Sequence, residues 1–339
     1  MKAMVWTEYG PPEVLQLQEV AAPTPGDNEV LVKIHATSVT AGDCELRGLK
    51  LPLWLFLLLR TYAGWRRPHR ITILGQELAG EIAAVGSAVT RFQVGDQVFG
   101  TTGMRFGAYA EQQCLPEDAV LAHKPAQISY AAATCLPVGG IEAAFFLGRA
   151  DLQPGQQVLI NGAGGSIGTL AIQLARRLGA EVTAVDSADK LEMLRRIGAH
   201  HVVDYTREDV TRSGRTYDVI LDVVGKLSYA RAVRALTPTG VFLIANPRLS
   251  HMLRRRWTSL TSHKRVVCWE ERSGRAEQLL LQELADLAST REIQPVIDRT
   301  YPLEQLAAAH RYVESGCKQG NVVITTPFMV KSADSPQTP

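Results

Sequence analysis

The chain has 339 residues, of which 46% are hydrophobic and 21% charged, and its formal net charge is +2. Those are globular proportions in a chain longer than one ordinary domain, which excludes a disordered polymer and points to two domains. The balance of charge gives no general attraction to nucleic acid, so no nucleic-acid partner is expected.

Five scattered cysteines with no C-x-x-C pair read as reduced thiols of a cytoplasmic protein. No basic stretch leading into an apolar core follows Met1, so no secretory signal is expected. In the first third, Val30, Val32, Ile34 and Ala36 alternate with Leu31, Lys33 and His35, the period of a strand with one buried face. Short β-prone stretches around Ile82, Val85, Val94 and Val98 are punctuated by Gly80, Gly86, Gly95 and Gly100, which suggests a small barrel or sandwich. Between them, Leu51 to Leu59 is an apolar run of nine residues containing Pro52, against the ~20 that a membrane span needs.

After Pro125 the rhythm changes. Strands are expected at Val158–Asn161, Glu181–Asp186, His201–Val203, Asp218–Asp222, Val241–Ala245 and Arg265–Trp269. Helices are expected at Ile167–Leu178, Ala188–Ile197, Tyr229–Leu236 and Ala276–Ala288, the last closing this domain. Strands alternating with helices imply a doubly wound parallel sheet. Short strands return at Val296–Asp298 and Asn321–Thr325, and Lys331 to Pro339 is polar and expected to fray.

The segment Val158-Leu-Ile-Asn-Gly-Ala163-Gly164-Gly165-Ser166-Ile167-Gly168 sits between an apolar strand and an amphipathic helix. It reads A-x-G-x-x-G: Ala163 allows the tight turn, Gly165 lets backbone approach a pyrophosphate, and Gly168 lets the helix pack on the strand. The helix N-terminus favours the negative charge. Asp186 ends the next strand 18 residues after Gly168, where a carboxylate accepts from the ribose hydroxyls of NAD and repels the 2′-phosphate of NADP. Lys190 and Tyr205 follow and could hold a 2′-phosphate instead, and Ser187, next to Asp186, is counted among the cofactor-binding residues. The cofactor is NADH or NADPH, with the balance toward NADH.

These features, with Met1-Lys-Ala-Met, Tyr9-Gly-Pro-Pro, Gly75-Gln-Glu-Leu-Ala-Gly80, Phe92-Gln-Val-Gly-Asp96 and Gly107-Ala-Tyr-Ala-Glu111, resemble the medium-chain dehydrogenase/reductase superfamily in its quinone oxidoreductase-like branch. The resemblance implies an α/β protein. A GroES-like β-barrel catalytic domain would take residues 1–124 and 290–330, a Rossmann domain residues 125–289, and a flexible tail 331–339, with the active site in the cleft between the domains. It places Thr40 beside the nicotinamide with Asp43 and Gln76 near it, Thr40 and Gln76 touching substrate or water and Asp43 orienting the loop. It brings Val224 and Gly225 to the end of the fourth strand, Asn246 after the fifth, and Asn321 toward the cofactor.

Where the superfamily's alcohol dehydrogenases carry a zinc-binding cysteine and histidine, this chain has Thr40 and Gln76, and Pro137 to Ile141 holds no cysteine. Amides and hydroxyls are poor zinc ligands, so no metal is expected. The implied activity is zinc-independent hydride transfer from NAD(P)H to a small apolar electrophile, a quinone or an α,β-unsaturated carbonyl. An alcohol or aldehyde dehydrogenase and a non-catalytic nicotinamide-binding redox sensor are the alternatives.

Two segments stand outside this scheme. Leu51 to Arg70 is read as a lid or a packed helix, with peripheral membrane contact ranking third. Arg248 to Arg265, with Arg254-Arg-Arg256 and Trp257, could touch RNA, anionic lipid or a substrate carboxylate, and is read first as a solvated basic loop before an edge strand. Pairing of that edge with a second copy predicts a homodimer.

Overall fold

The computed structural model describes residues 1–50, 57, 60–268, 270 and 272–328. Its strands, in chain order, begin with β1 (Lys2–Trp6), β2 (Leu15–Glu19), β3 (Glu29–Ser38), β4 (Glu77–Val85), β5 (Gln97–Thr101), β6 (Gln112–Pro116) and β7 (Leu121–His123). They continue with β8 (Gln157–Asn161), β9 (Glu181–Asp186), β10 (His201–Asp204), β11 (Tyr217–Asp222), β12 (Leu236–Ile244) and β13 (Arg265–Val267), and end with β14 (Ile297–Pro302) and β15 (Asn321–Thr325).

The chain divides into two compact units, the first made of residues 1–138, 274–289 and 296–339 and the second of 139–273 and 290–295. In the first unit the strands run β14-β15-β3-β4-β5-β7, with β6 also on β3. The ten-residue β3 organises this sheet. One edge pairs antiparallel with β4, and the other takes β6 along residues 29–33 and β15 along 36–38. The alternation Val30, Val32, Ile34 puts those side chains, each fully buried, into one core cluster with Leu78, Ile82, Val98 and Leu121.

The second unit is a six-stranded sheet, all parallel, in the order β10-β9-β8-β11-β12-β13. In chain order that is 3-2-1-4-5-6, so progress across the sheet reverses between β8 and β11, where such sheets bind ligands. Val158, Leu159 and Ile160 of β8 are buried on both faces, as a central parallel strand requires. Both architectures match the expected GroES-like and Rossmann classes.

Four expectations need correction or limits. Helix Gly274–Ser289 belongs to the first unit, not the Rossmann sheet, and the first unit runs on to Val138. Its Gln278 accepts from the backbone N–H of Leu121 at 3.0 Å and donates to the Leu121 carbonyl at 2.7 Å, satisfying edge strand β7. Arg248 to Arg265 is not a loop, because Leu249–Thr261 is helical. No Gly or Pro interrupts it, and Leu249, Leu253 and Trp257 fall at i, i+4, i+8. Val94 lies in an exposed turn before β5. Residues 51–59 other than Leu57, together with Trp269 and the 331–339 tail, lie outside the described residues.

Candidate active site and cofactor cradle

In the second unit the glycine turn follows β8 directly. The N–H groups of Gly162 and Ala163 both donate to the Val185 carbonyl at 3.1 Å, which ties the turn to β9. Gly165 caps helix Ser166–Arg177, and a Cβ placed on it would meet nothing nearer than 3.9 Å. The space before the helix N-terminus is therefore open to an anionic group. Gly168 shows the opposite constraint: a Cβ there would stand 2.5 Å from the Ala163 carbonyl oxygen. Only glycine lets the helix approach the strand so closely, as the fingerprint requires.

Asp186, at the end of β9, is turned back into this cradle. Its Oδ2 accepts from Gly164 N–H at 2.7 Å and its Oδ1 from Ser187 N–H at 2.9 Å. Lys190 Nζ lies 3.1 Å from Oδ1, and both side chains are only 9% exposed. Tyr205 N–H donates to the Asp186 carbonyl at 3.2 Å while its ring stays exposed. Thus Gly164, Asp186, Ser187, Lys190 and Tyr205 do come together, with Asp186 and Lys190 paired and largely buried rather than both facing solvent.

Beside the turn, Asp222 ends β11 in register with Asn161 of β8. Its carboxylate is fully buried and accepts from Asn161 Nδ2 at 2.8 Å, Gly225 N at 3.0 Å and Leu227 N at 2.9 Å. This holds Val224 exposed and Gly225 at φ 65°, and Asn246 Nδ2 donates to the Val223 carbonyl at 2.6 Å. Asn161 and Asp222 brace this turn; Asp222 opens the Asp222–Gly225 segment that the resemblance points to, whereas Asn161 is not singled out by the sequence. Two polar residues ending adjacent central strands were the available signal.

In the first unit, Thr40 and Asp43 form a capping box on helix Ala41–Gly48. Thr40 Oγ1 donates to Asp43 Oδ2 at 2.7 Å and accepts from Asp43 N–H at 3.1 Å. Thr40 N–H also donates to Oδ2, at 3.0 Å. The spacing T-x-x-D carried this signal in the sequence. Burial raises the Asp43 carboxyl above its ordinary range, against the pull of Thr40 and the nearby Tyr109 hydroxyl, which stops short of a well-formed hydrogen bond.

Gln76 precedes β4 and is half-buried. A Cβ on Gly42 would lie 3.6 Å from Thr40 Oγ1 and 3.8 Å from Gln76 Oε1, so these two side chains flank the same point. The Thr40 hydroxyl proton is already given to Asp43, whereas the Gln76 amide makes no hydrogen bond to the described residues. The Gln76 amide, with Oε1 its atom nearest that point, is the polar group there not committed to the described residues.

Next to it, Glu77 is buried, a position that sequence reasoning does not single out. It accepts from Ser38 Oγ and, at 2.7 Å, from Val138 N–H. Burial pushes its carboxyl up to about 7, with Ser38 and Val138 pulling the other way. Asn321, expected at the cofactor, is buried at the start of β15, where its N–H and Nδ2 donate to the Val296 carbonyl at 2.9 and 3.0 Å. Among the described residues no three His, Cys, Asp or Glu side chains gather as a metal-binding group. None of their helices is long and apolar enough to cross a membrane.

Comparison with known proteins adds to this geometry. The family model described as the alcohol dehydrogenase GroES-like domain matches residues 26–126, and that described as zinc-binding dehydrogenase matches 197–324. The 2-methylene-furan-3-one reductase of Solanum lycopersicum is 30% identical over 337 residues, covering 96% of this chain and 79% of the relative. The quinone oxidoreductase of Pseudomonas aeruginosa is 32% identical over 250 residues, covering 71% and 72%. Among solved structures, the quinone oxidoreductase from Coxiella burnetii superposes with a TM-score of 0.84 at 28% identity, covering 96% of this chain and 99% of that one.

Proposed function

The chain belongs to the medium-chain dehydrogenase/reductase superfamily, in its quinone oxidoreductase-like branch, and from that membership we propose the following division of labour. It is an NAD(P)H-dependent reductase of quinones or α,β-unsaturated carbonyls. The bound dinucleotide supplies the hydride. The open face of Gly165 and the helix behind it receive the pyrophosphate, and Asp186 meets the adenosine ribose. A paired but anionic Asp186 disfavours a 2′-phosphate, which keeps the preference on NADH.

The observation that carries the metal-free chemistry is the donor set around Gly42. A hydroxyl committed to Asp43 and an uncommitted amide suit a carbonyl oxygen rather than zinc. A quinone or enone spreads the incoming negative charge onto a conjugated oxygen, and a positioned N–H donor stabilises it there. Gln76 gives that hydrogen bond, and the Thr40–Asp43 box fixes the start of the neighbouring helix. The open edge of β13 is where a second copy would pair.

Turnover of NADH and NADPH by EDTA-treated protein, against ortho-quinones, para-quinones and enones, tests this function. Reduction of any class without metal is the expected result. Activity that appears only on adding zinc, with alcohols as substrates, would replace the proposal with an alcohol dehydrogenase.

A further inference from the structure

Helix Leu249–Thr261 turns its apolar residues to solvent. Only His251 and Thr258 of this helix are buried, and the Thr258 hydroxyl pairs with that of Tyr229 at 2.8 Å. On the opposite face Leu249, Leu253, Trp257 and Leu260 form a crest, each between 65% and 83% exposed. A surface helix ordinarily does the reverse, with its apolar stripe on the core.

Charge accompanies the crest. From Arg248 to Arg265 the sequence carries six Lys and Arg and no Asp or Glu, in a chain of net charge +2. At 100° per residue Arg254 and Arg256 stand on the two sides of the crest, while Arg255 is half-buried on the opposite side. Beside it opens a cleft of about 550 Å³ lined by Arg234, Arg254, Trp257 and Lys264. Its cations are held in place: the Arg254 guanidinium lies over the Tyr229 ring at 5.8 Å, and Lys264 Nζ donates to the Val233 carbonyl at 2.6 Å.

We propose that this face docks on an anionic lipid bilayer, the crest entering the headgroup–acyl boundary and the arginines meeting lipid phosphates. An amphipathic helix with Leu and Trp on one face and Arg at its margins satisfies both demands of such a surface. Trp favours the interface, and each cation near an anionic leaflet adds affinity. A nucleic acid would leave the crest in water. A second copy would set the cations at the margins of the crest, Arg254, Arg256 and Lys264, against like charge across a two-fold axis.

The test is sedimentation of the full chain with phosphatidylcholine vesicles, with and without phosphatidylglycerol, at low and high salt. Binding to the anionic vesicles at low salt, at least tenfold stronger than to neutral ones and reversed by salt, is expected. The Trp emission should shift to the blue on binding, and Trp257→Phe should abolish the shift. Leu253→Glu with Leu260→Glu should lose tenfold or more in binding while keeping the melting temperature and lipid-free NADH oxidation. No binding to anionic vesicles at low salt overturns the proposal. So does a dimer in solution that the double variant dissolves, which would make the crest a contact between copies. Lost turnover in that variant without lipid would assign the crest to the active site instead. Vesicle binding is read independently of turnover, so it stands or falls apart from the reductase function.

Discussion

The side-chain amide of Asn161 donates to the carboxylate of Asp222 at 2.8 Å, joining the ends of β8 and β11 where the order of the sheet reverses. Asp222 is fully buried and also receives the N–H groups of Gly225 and Leu227. Asp222→Asn gives up acceptor capacity and strands at least one buried donor. We expect a loss of about 1–3 kcal/mol in urea unfolding, with weaker NADH binding by fluorescence titration. Unchanged stability would mean that the turn is held by other contacts.

The buried pair Asp186–Lys190 makes cofactor choice a matter of one charge. Asp186→Ser removes the anion and leaves Lys190 to meet a phosphate. The ratio of kcat/KM for NADPH over NADH should rise about tenfold, equivalent to ~1.4 kcal/mol. A wild-type enzyme that already favours NADPH strongly would refute the NADH preference.

Two glycines separate binding from folding. In Gly165→Ala the new methyl group faces open space, so the melting temperature should hold while NADH affinity falls. In Gly168→Ala the methyl group meets the Ala163 carbonyl at 2.5 Å, and the overpacked helix should cost about 1–3 kcal/mol. Equal destabilisation of both variants would remove the assignment of Gly165 to the cofactor.

Glu77 supplies a pH signature. Its carboxyl is raised to about 7 from an ordinary 4.5, so the native state keeps a proton that the unfolded chain releases. Stability from this group is therefore full below about pH 4.5 and falls as pH rises to about 7, by on the order of 3 kcal/mol. Glu77→Gln cannot lose that proton. Urea midpoints near pH 5 and near pH 8 should shift in favour of the variant across the interval, and parallel profiles would show that Glu77 is ionised throughout.

Regular periodicity made much of the fold legible. The alternation in β3 and the strand–turn–helix around Gly165 are local patterns, and local patterns survive in one dimension. What escaped depends on distant partners. Helix Gly274–Ser289 is amphipathic in either unit, and partners far off in the chain, such as Leu121 for Gln278, 157 positions apart, place it in the first. The Thr40–Asp43 box was readable because its partners are three residues apart. The bond from Gly164 to Asp186 was not, since an acidic residue at a strand end looks the same whether it faces a ribose or the backbone. Helix Leu249–Thr261 reads as a loop in the sequence because a charge run usually marks solvent, although Leu249, Leu253 and Trp257 recur at helical spacing.

The pairing of β15 with β3 has a consequence for synthesis. β3 leaves the ribosome almost three hundred residues before Val323 to Thr325 arrive to cover its second edge. Until then the half of β3 around Ala36 to Ser38 is an unpaired strand edge, the kind of surface that recruits other chains. The second unit, continuous apart from residues 290–295, can close first. The nascent chain therefore passes through a stage with one finished unit and one open one, and the step that ends its exposure to aggregation is the arrival of its last strand.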